Sequence, residues 1–286
     1  MPFRFANVAG RAALVADERL FDLETLSDGS VPADPMAALA QPAELARLNE
    51  TLATAAPSGA LADAKLGPPV PSPRNSYGIG LNYRDHAAEA NLEVPDDPLV
   101  FSKFPSCIVG PTADVELRSD RVDYEGELVV VIGPGGKDIP QERAWQHVLG
   151  LTVGQDISDR RAQMMSKPPH FALGKSFDTF GPIGPLLVSP DALGNPADLL
   201  LQTYVNDDRR QNAQTSSLIF DIPTLVSFLS SITTLQTGDI IFTGTPEGVG
   251  FKSRQYLVDG DVITTTIEGI GSLRNVCRRV SDWRQK

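Results

Sequence analysis

The chain is poor in cysteine. Only Cys107 and Cys277 occur among 286 residues, with no Cys-x-x-Cys pair and no spacing suited to a metal. A disulfide framework is excluded, and a reduced, cytoplasmic protein is expected. Positive charge is also short: 25 Lys and Arg stand against 36 Asp and Glu, for a net charge of −11. Nucleic-acid partners need clustered Lys and Arg against the phosphates, so that class is set aside. The basic group Arg274, Arg278, Arg279 and Arg284 reads as a solvated face. No apolar run approaches the roughly 20 residues of a membrane span, and MPFRFANVAG lacks the apolar core of a secretory signal, so no membrane partner is expected. No Gly-x-Ser-x-Gly elbow occurs, which argues against a serine-nucleophile hydrolase. The glycines of residues 244–250 lack the Gly-Lys-Ser/Thr ending of a phosphate loop, and residues 78–83 lack the third glycine of a dinucleotide fingerprint.

What is present is enough apolar material, 41% of residues, for one sizeable domain and a small one. Residues 4–26 alternate short apolar pieces with polar breaks and predict two or three small strands. Residues 35–53 have apolar spacing near three to four and predict a helix interrupted near Pro42. The proline-rich stretch LGPPVPSP, residues 66–73, suggests a boundary between a small N-terminal α+β domain, 1–70, and a catalytic domain, 71–286. Beyond it, strands are predicted over 128–132, 151–153, 184–188, 200–205, 240–243 and 261–267, separated by frequent Gly and Pro.

The most informative stretch is DYEGELVVVI, residues 123–132. Side chains alternate across a strand, so Asp123, Glu125 and Glu127 share one face at the start of a β-branched run. Neighbouring carboxylates repel unless a cation sits between them, and oxygen-only ligands suit Mg²⁺, Mn²⁺ or Ca²⁺ rather than zinc. A solvated strand face is the alternative. Asp156 stands where the strand 151–153 ends, as a third hard ligand or as the cap of the polar segment 158–165. His86 and Glu89, three apart on a short helix that Asn82 could cap, form a pair in which the carboxylate raises the imidazole's basicity, as a general base requires. An exposed helix with a casual contact is the bland reading. Lys175, in the turn-rich GKSFDTFGP, either stabilises an enolate oxygen or holds a substrate carboxylate, or is an ordinary surface lysine.

In order, GLNYRDHAAE, DYEGEL, GQDISDRRAQ, GKSFDTFGPIGP and GDIIFTGTPEGVG resemble the fumarylacetoacetate hydrolase family over roughly residues 70–286. The resemblance implies an α+β, mainly β fold, a mixed β-roll in a homodimer, with Mg²⁺ (or Mn²⁺, or Ca²⁺) at one end. It implies Glu125, Glu127 and Asp156 as metal ligands, His86 and Glu89 as the water-activating pair, and Lys175 as the active-site lysine. Arg160, Gln163, Thr245 and Tyr83 are implied at the substrate. The expected reaction is hydrolysis of a carbon–carbon bond in a 1,3-diketo, acylpyruvate-type acid. Its alternatives are an oxaloacetate-type decarboxylase, an isomerase of an unsaturated 2-oxo dioic acid, or a non-catalytic ion-binding module. Leu81, Gln155, Asp159 and Arg161 depart from the family's usual residues; Gln155 keeps an amide, and Leu81 and Asp159 are expected to bear on substrate choice.

Overall fold

The computed structural model describes residues 2–90 and 93–284. Every strand expected from the pattern is present, and the fold is mainly β with mixed sheets. The centre is Gly126–Ile132, which pairs antiparallel with Val148–Gln155 on one side and with Ile240–Phe242 on the other. All seven of its residues are buried. Its alternation feeds two cores: Val129 and Val131 join one apolar cluster, while Leu128, Val130 and Ile132 join another. A strand sandwiched between layers therefore reads as a continuous β-branched run.

The large sheet has twelve strands and is mixed, because Ile240–Phe242 runs parallel to Ser76–Gly80. A second sheet of five strands, including Leu200–Val205, Val262–Ile267 and Gly271–Arg279, packs across it. Gly126 marks the closest approach. A Cβ there would stand 2.1 Å from Thr203 Oγ1 and 3.1 Å from both Gln211 Oε1 and Thr265 Cγ2. The glycine between the two glutamates of the Glu-Gly-Glu motif thus lets the small sheet close over the large one.

At the N-terminus, Arg4–Val8, Arg11–Ala16 and Arg19–Asp22 form an antiparallel meander, followed by helices Pro35–Leu39 and Pro42–Asn49. The break falls at Pro42, whose ring cannot continue a helix. Arg4–Val8 also pairs with Gly181–Val188, so the large sheet runs unbroken from the first seventy residues into the rest. Phe5, Leu14, Phe21 and Leu45 belong to the same apolar cluster as Val129. Among the described residues no helix is long and apolar enough to cross a membrane.

Gly126→Ala should lower the thermal midpoint by several degrees, since overpacking a close-packed interface costs about 1–3 kcal/mol. A melting curve unchanged from wild type would mean that the two sheets part easily at this point.

Candidate active site

The site follows from the strand register. Gly126 is paired with Gln155 and Glu127 with Gly154. The ladder continues one step, with the Asp156 N–H donating to Glu125 O at 2.8 Å. Glu125 and Asp156, thirty-one positions apart, therefore face each other where the two strands end. Glu125, Glu127 and Asp156 are all buried, and each presents a carboxylate oxygen within 4.8 Å of the others. Asp123 does not join them. Strand pairing is interrupted at Tyr124 and Glu125, and Asp123 sits in a separate ribbon, Val122–Asp123 with Ser158–Asp159. Its carboxylate accepts from Arg160 Nε at 2.9 Å, Arg160 Nη2 at 2.7 Å and the Gly250 N–H at 2.7 Å.

Three buried cations balance four buried carboxylates. Arg160 Nη2 also donates to Glu125 Oε1 at 2.6 Å, and its Nη1 to Gln163 Oε1 at 3.0 Å. Lys175 Nζ lies 2.6 Å from Glu125 Oε2 and 2.6 Å from Asp156 Oδ2, so it is no surface lysine. Burial alone would lower its pKa, but Asp156 and Glu125 outweigh burial and hold it charged. Burial pushes Glu125 up, yet Lys175, Arg160 and then His86 prevail and hold it below the usual carboxylate range. The third cation, Lys103, was not anticipated. Its fully buried Nζ donates to Asp156 Oδ1 at 2.6 Å, to Phe180 O at 3.1 Å and to Lys175 O. The available signal was that Lys103 is the one charged residue between Asp97 and Asp114.

Glu127 has no cation of its own. It accepts the Gly244 N–H at 2.7 Å and has no ion pair among the described residues. Burial, then repulsion from Asp156 and Glu125, push its pKa well above the ordinary value. Hard oxygen donors, tight convergence and one uncompensated carboxylate are what a divalent cation would relieve, so the residues present fit one.

Around this centre the expected residues separate into two groups. His86, Glu125, Arg160, Gln163, Lys175 and Thr245 line one pocket of about 120 Å³. Its remaining walls are apolar, with Phe101, Phe171 and Phe251 among them, and Leu81 also lines it. Tyr83 does not. It is buried, lines a different cavity with Arg84 and Leu218, and its hydroxyl has no hydrogen-bond partner among the described residues. Burial and then the charge of Glu127 push its phenol above the usual value. Thr245 donates to Gly126 O at 2.9 Å and accepts from Gln211 Nε2 at 2.8 Å, which ties the glycine-rich loop to the ligand strand. Gln211, whose Oε1 also accepts the Gly126 N–H at 2.9 Å, is a second residue that sequence reasoning passed over.

The helix Arg84–Ala90 brings His86 and Glu89 together as the spacing predicts. Nδ1 of His86 lies 3.5 Å from Glu89 Oε2, long for a hydrogen bond. Glu89 also accepts the Gly248 N–H at 3.2 Å. Burial pushes Glu89 up, but His86 and the Gly248 amide hold it low. Asn82 is no helix cap: it donates to Thr243 O at 2.7 Å and Phe220 O at 3.0 Å and accepts the Phe220 N–H at 2.8 Å. Nor does Asp156 cap the segment after it. Asp159 does, accepting from the Ala162 N–H at 3.0 Å, and Trp283 Nε1 donates to its other oxygen at 3.0 Å. Asp159 thus holds the start of the helix Arg160–Gln163, with both carboxylate oxygens accepting hydrogen bonds.

A profile described as the fumarylacetoacetate hydrolase C-terminal domain matches residues 75–278, and the chain belongs to that family. The family's members are enzymes. Oxaloacetate tautomerase YisK of Bacillus subtilis is 42% identical over 274 residues, 91% of this chain and 90% of that protein. Two solved structures are similar over nearly their whole lengths. A protein described as HpcE from Mycobacterium smegmatis is 40% identical with a TM-score of 0.90, covering 97% of this chain and 100% of that one. Maleylpyruvate hydrolase from Sphingobium sp. SYK-6, in complex with manganese(II) and pyruvate, is 30% identical with a TM-score of 0.80, covering 96% and 99%.

A raised carboxylate pKa destabilises the fold above the group's unfolded pKa, because the unfolded chain gives up the proton more readily than the folded state does. Glu127→Gln should therefore melt at or above wild type near neutral pH in the presence of a chelator. The same variant should lose most of the midpoint rise that magnesium or manganese gives wild type. A full metal-dependent rise in the variant would remove Glu127 from the ligand set.

Proposed function

We propose that the protein is a metal-dependent isomerase of a 2-oxo diacid, interconverting the keto and enol forms of oxaloacetate. The observation that carries this reading is the convergence of His86, Lys175, Arg160 and Glu125 on one small, largely apolar pocket, with carboxylate oxygens of Glu127 and Asp156 within 4.8 Å of that of Glu125. The likeness to an oxaloacetate tautomerase over nine-tenths of the chain supports the same choice.

A divalent cation held by Glu125, Glu127 and Asp156, magnesium or manganese, would supply Lewis-acid polarisation of the ketone. His86 takes a proton from the carbon beside the ketone, and the electron pair of that C–H bond becomes the carbon–carbon double bond. Negative charge moves onto the former keto oxygen, which the returning proton neutralises. Lys175 spends two N–H groups on Glu125 and Asp156, leaving one for that oxygen. Four of the five N–H groups of Arg160 are engaged, leaving one for a substrate carboxylate. The apolar walls exclude bulk water and strengthen these charge interactions.

Hydrolysis of an acylpyruvate-type bond is the second reading. It is favoured by the His86–Glu89 pair at the pocket and by the likeness to a maleylpyruvate hydrolase. Homodimer assembly belongs to either reading, and light scattering of the purified protein tests it.

With Mg²⁺ or Mn²⁺, the protein should speed the decay of enol-oxaloacetate absorbance without releasing carbon dioxide. Pyruvate formed from acetylpyruvate or fumarylpyruvate would move the assignment to hydrolysis, and carbon dioxide from oxaloacetate to decarboxylation. His86→Ala should lose about 10²–10⁴-fold in kcat while keeping the metal-dependent rise in melting temperature. A variant that turns over at the wild-type rate would remove His86 as the base.

A further inference from the structure

The C-terminal segment docks beside the helix that carries Arg160. Asp282 pairs with Arg161, the Trp283 N–H donates to Arg118 O at 3.1 Å, and the indole N–H donates to Asp159 at 3.0 Å. The Trp283 ring meets the guanidinium of Arg161 at 5.5 Å and that of Arg284 at 4.8 Å. These contacts help to frame a cavity of about 270 Å³ whose wall includes Arg121, Arg160, Arg161 and Arg284 and no carboxylate. It shares Arg160, Met164 and Phe251 with the reaction pocket.

Four arginines on one cavity run against the character of a chain with a net charge of −11. Two are already balanced. Arg160 is held by Asp123 and Glu125, and Arg161 by Asp282, with Asp120 at 4.0 Å. Arg121 and Arg284 are exposed and have no ion pair among the described residues. Met164 and Phe251, on the wall common to both cavities, are apolar, and such walls focus the field of nearby charges.

We propose that this cavity is an anion-binding porch that gathers dicarboxylates before they enter the reaction pocket, with Arg121 and Arg284 as its carboxylate holders. It selects dianions over monoanions, because two unbalanced guanidinium groups attract the more highly charged acid more strongly. The porch deepens the proposed 2-oxo diacid reading and rests on that reading only for the identity of the substrate.

Two measurements on the full chain test it. The double variant R121Q/R284Q should lower kcat/KM for oxaloacetate about tenfold at low ionic strength, with the loss falling on KM, and the wild-type advantage should shrink as salt rises. Calorimetric titration with succinate should show weaker binding in the same variant. R274Q/R278Q removes equal charge elsewhere on the surface and should change neither quantity. Equal effects from the two double variants would reduce the porch to overall charge and overturn it. Unchanged kcat/KM, salt dependence and succinate affinity in R121Q/R284Q would overturn it as well. If wild type does not act on oxaloacetate, the proposed reaction fails, and the succinate comparison alone then upholds or rejects the porch.

Discussion

Everything in this molecule is arranged around the pairing of Gly126–Ile132 with Val148–Gln155, carried one residue further by Asp156 against Glu125. That register brings buried carboxylates together. Taking each such charge out of water costs several kcal/mol unless counter-ions and hydrogen bonds offset it. Lys103, Lys175 and Arg160 are the counter-ions, each reaching in from a different part of the chain. Glu127 is left over without a cation of its own, and that makes the ionic cluster a candidate cation site.

The surrounding layers follow from the same constraint. A cluster of charges is strong only where solvent is excluded. The five-stranded sheet closes against Gly126, and the aromatic side chains Phe101, Phe171 and Phe251 wall the pocket that remains. Short elements then orient single side chains. The helix Arg160–Gln163 is held at its start by Asp159, itself fastened by Trp283, and Thr245 locks the glycine-rich loop to the ligand strand. The catalytic candidates sit on loops and short helices, while the sheets supply the rigidity.

Much of this was legible in the residues. The β-branched runs became strands because alternation and burial agreed, and Glu125, Glu127, Asp156, His86 and Lys175, singled out by residue type and spacing, lie close together in the fold. Other elements were hidden by polarity. Asp208–Gln214 reads DRRQNAQ, and Gly271–Arg279 ends in two arginines, so neither shows an apolar stripe. They are strands because neighbours on the small sheet satisfy their backbones, a reason no local pattern contains. Asp123 looked like a third member of the carboxylate face, but the strand is interrupted at Tyr124 and Asp123 pairs with Arg160. Asn82 looked like a helix cap, but its amide bonds to backbone groups 138 and 161 positions away.

By itself the sequence determined the chemical inventory: hard oxygen ligands, one base pair of side chains, few soft ligands, and strands whose faces were set by a period of two. Tertiary structure alone decided which charges meet. Contacts such as Lys103 with Asp156, or Tyr83 lining a cavity other than that of His86 and Lys175, depend on strand register and on how layers close. Those are set by the packing of the whole chain, because the electrostatic cost of a buried charge is decided by neighbours far off along it.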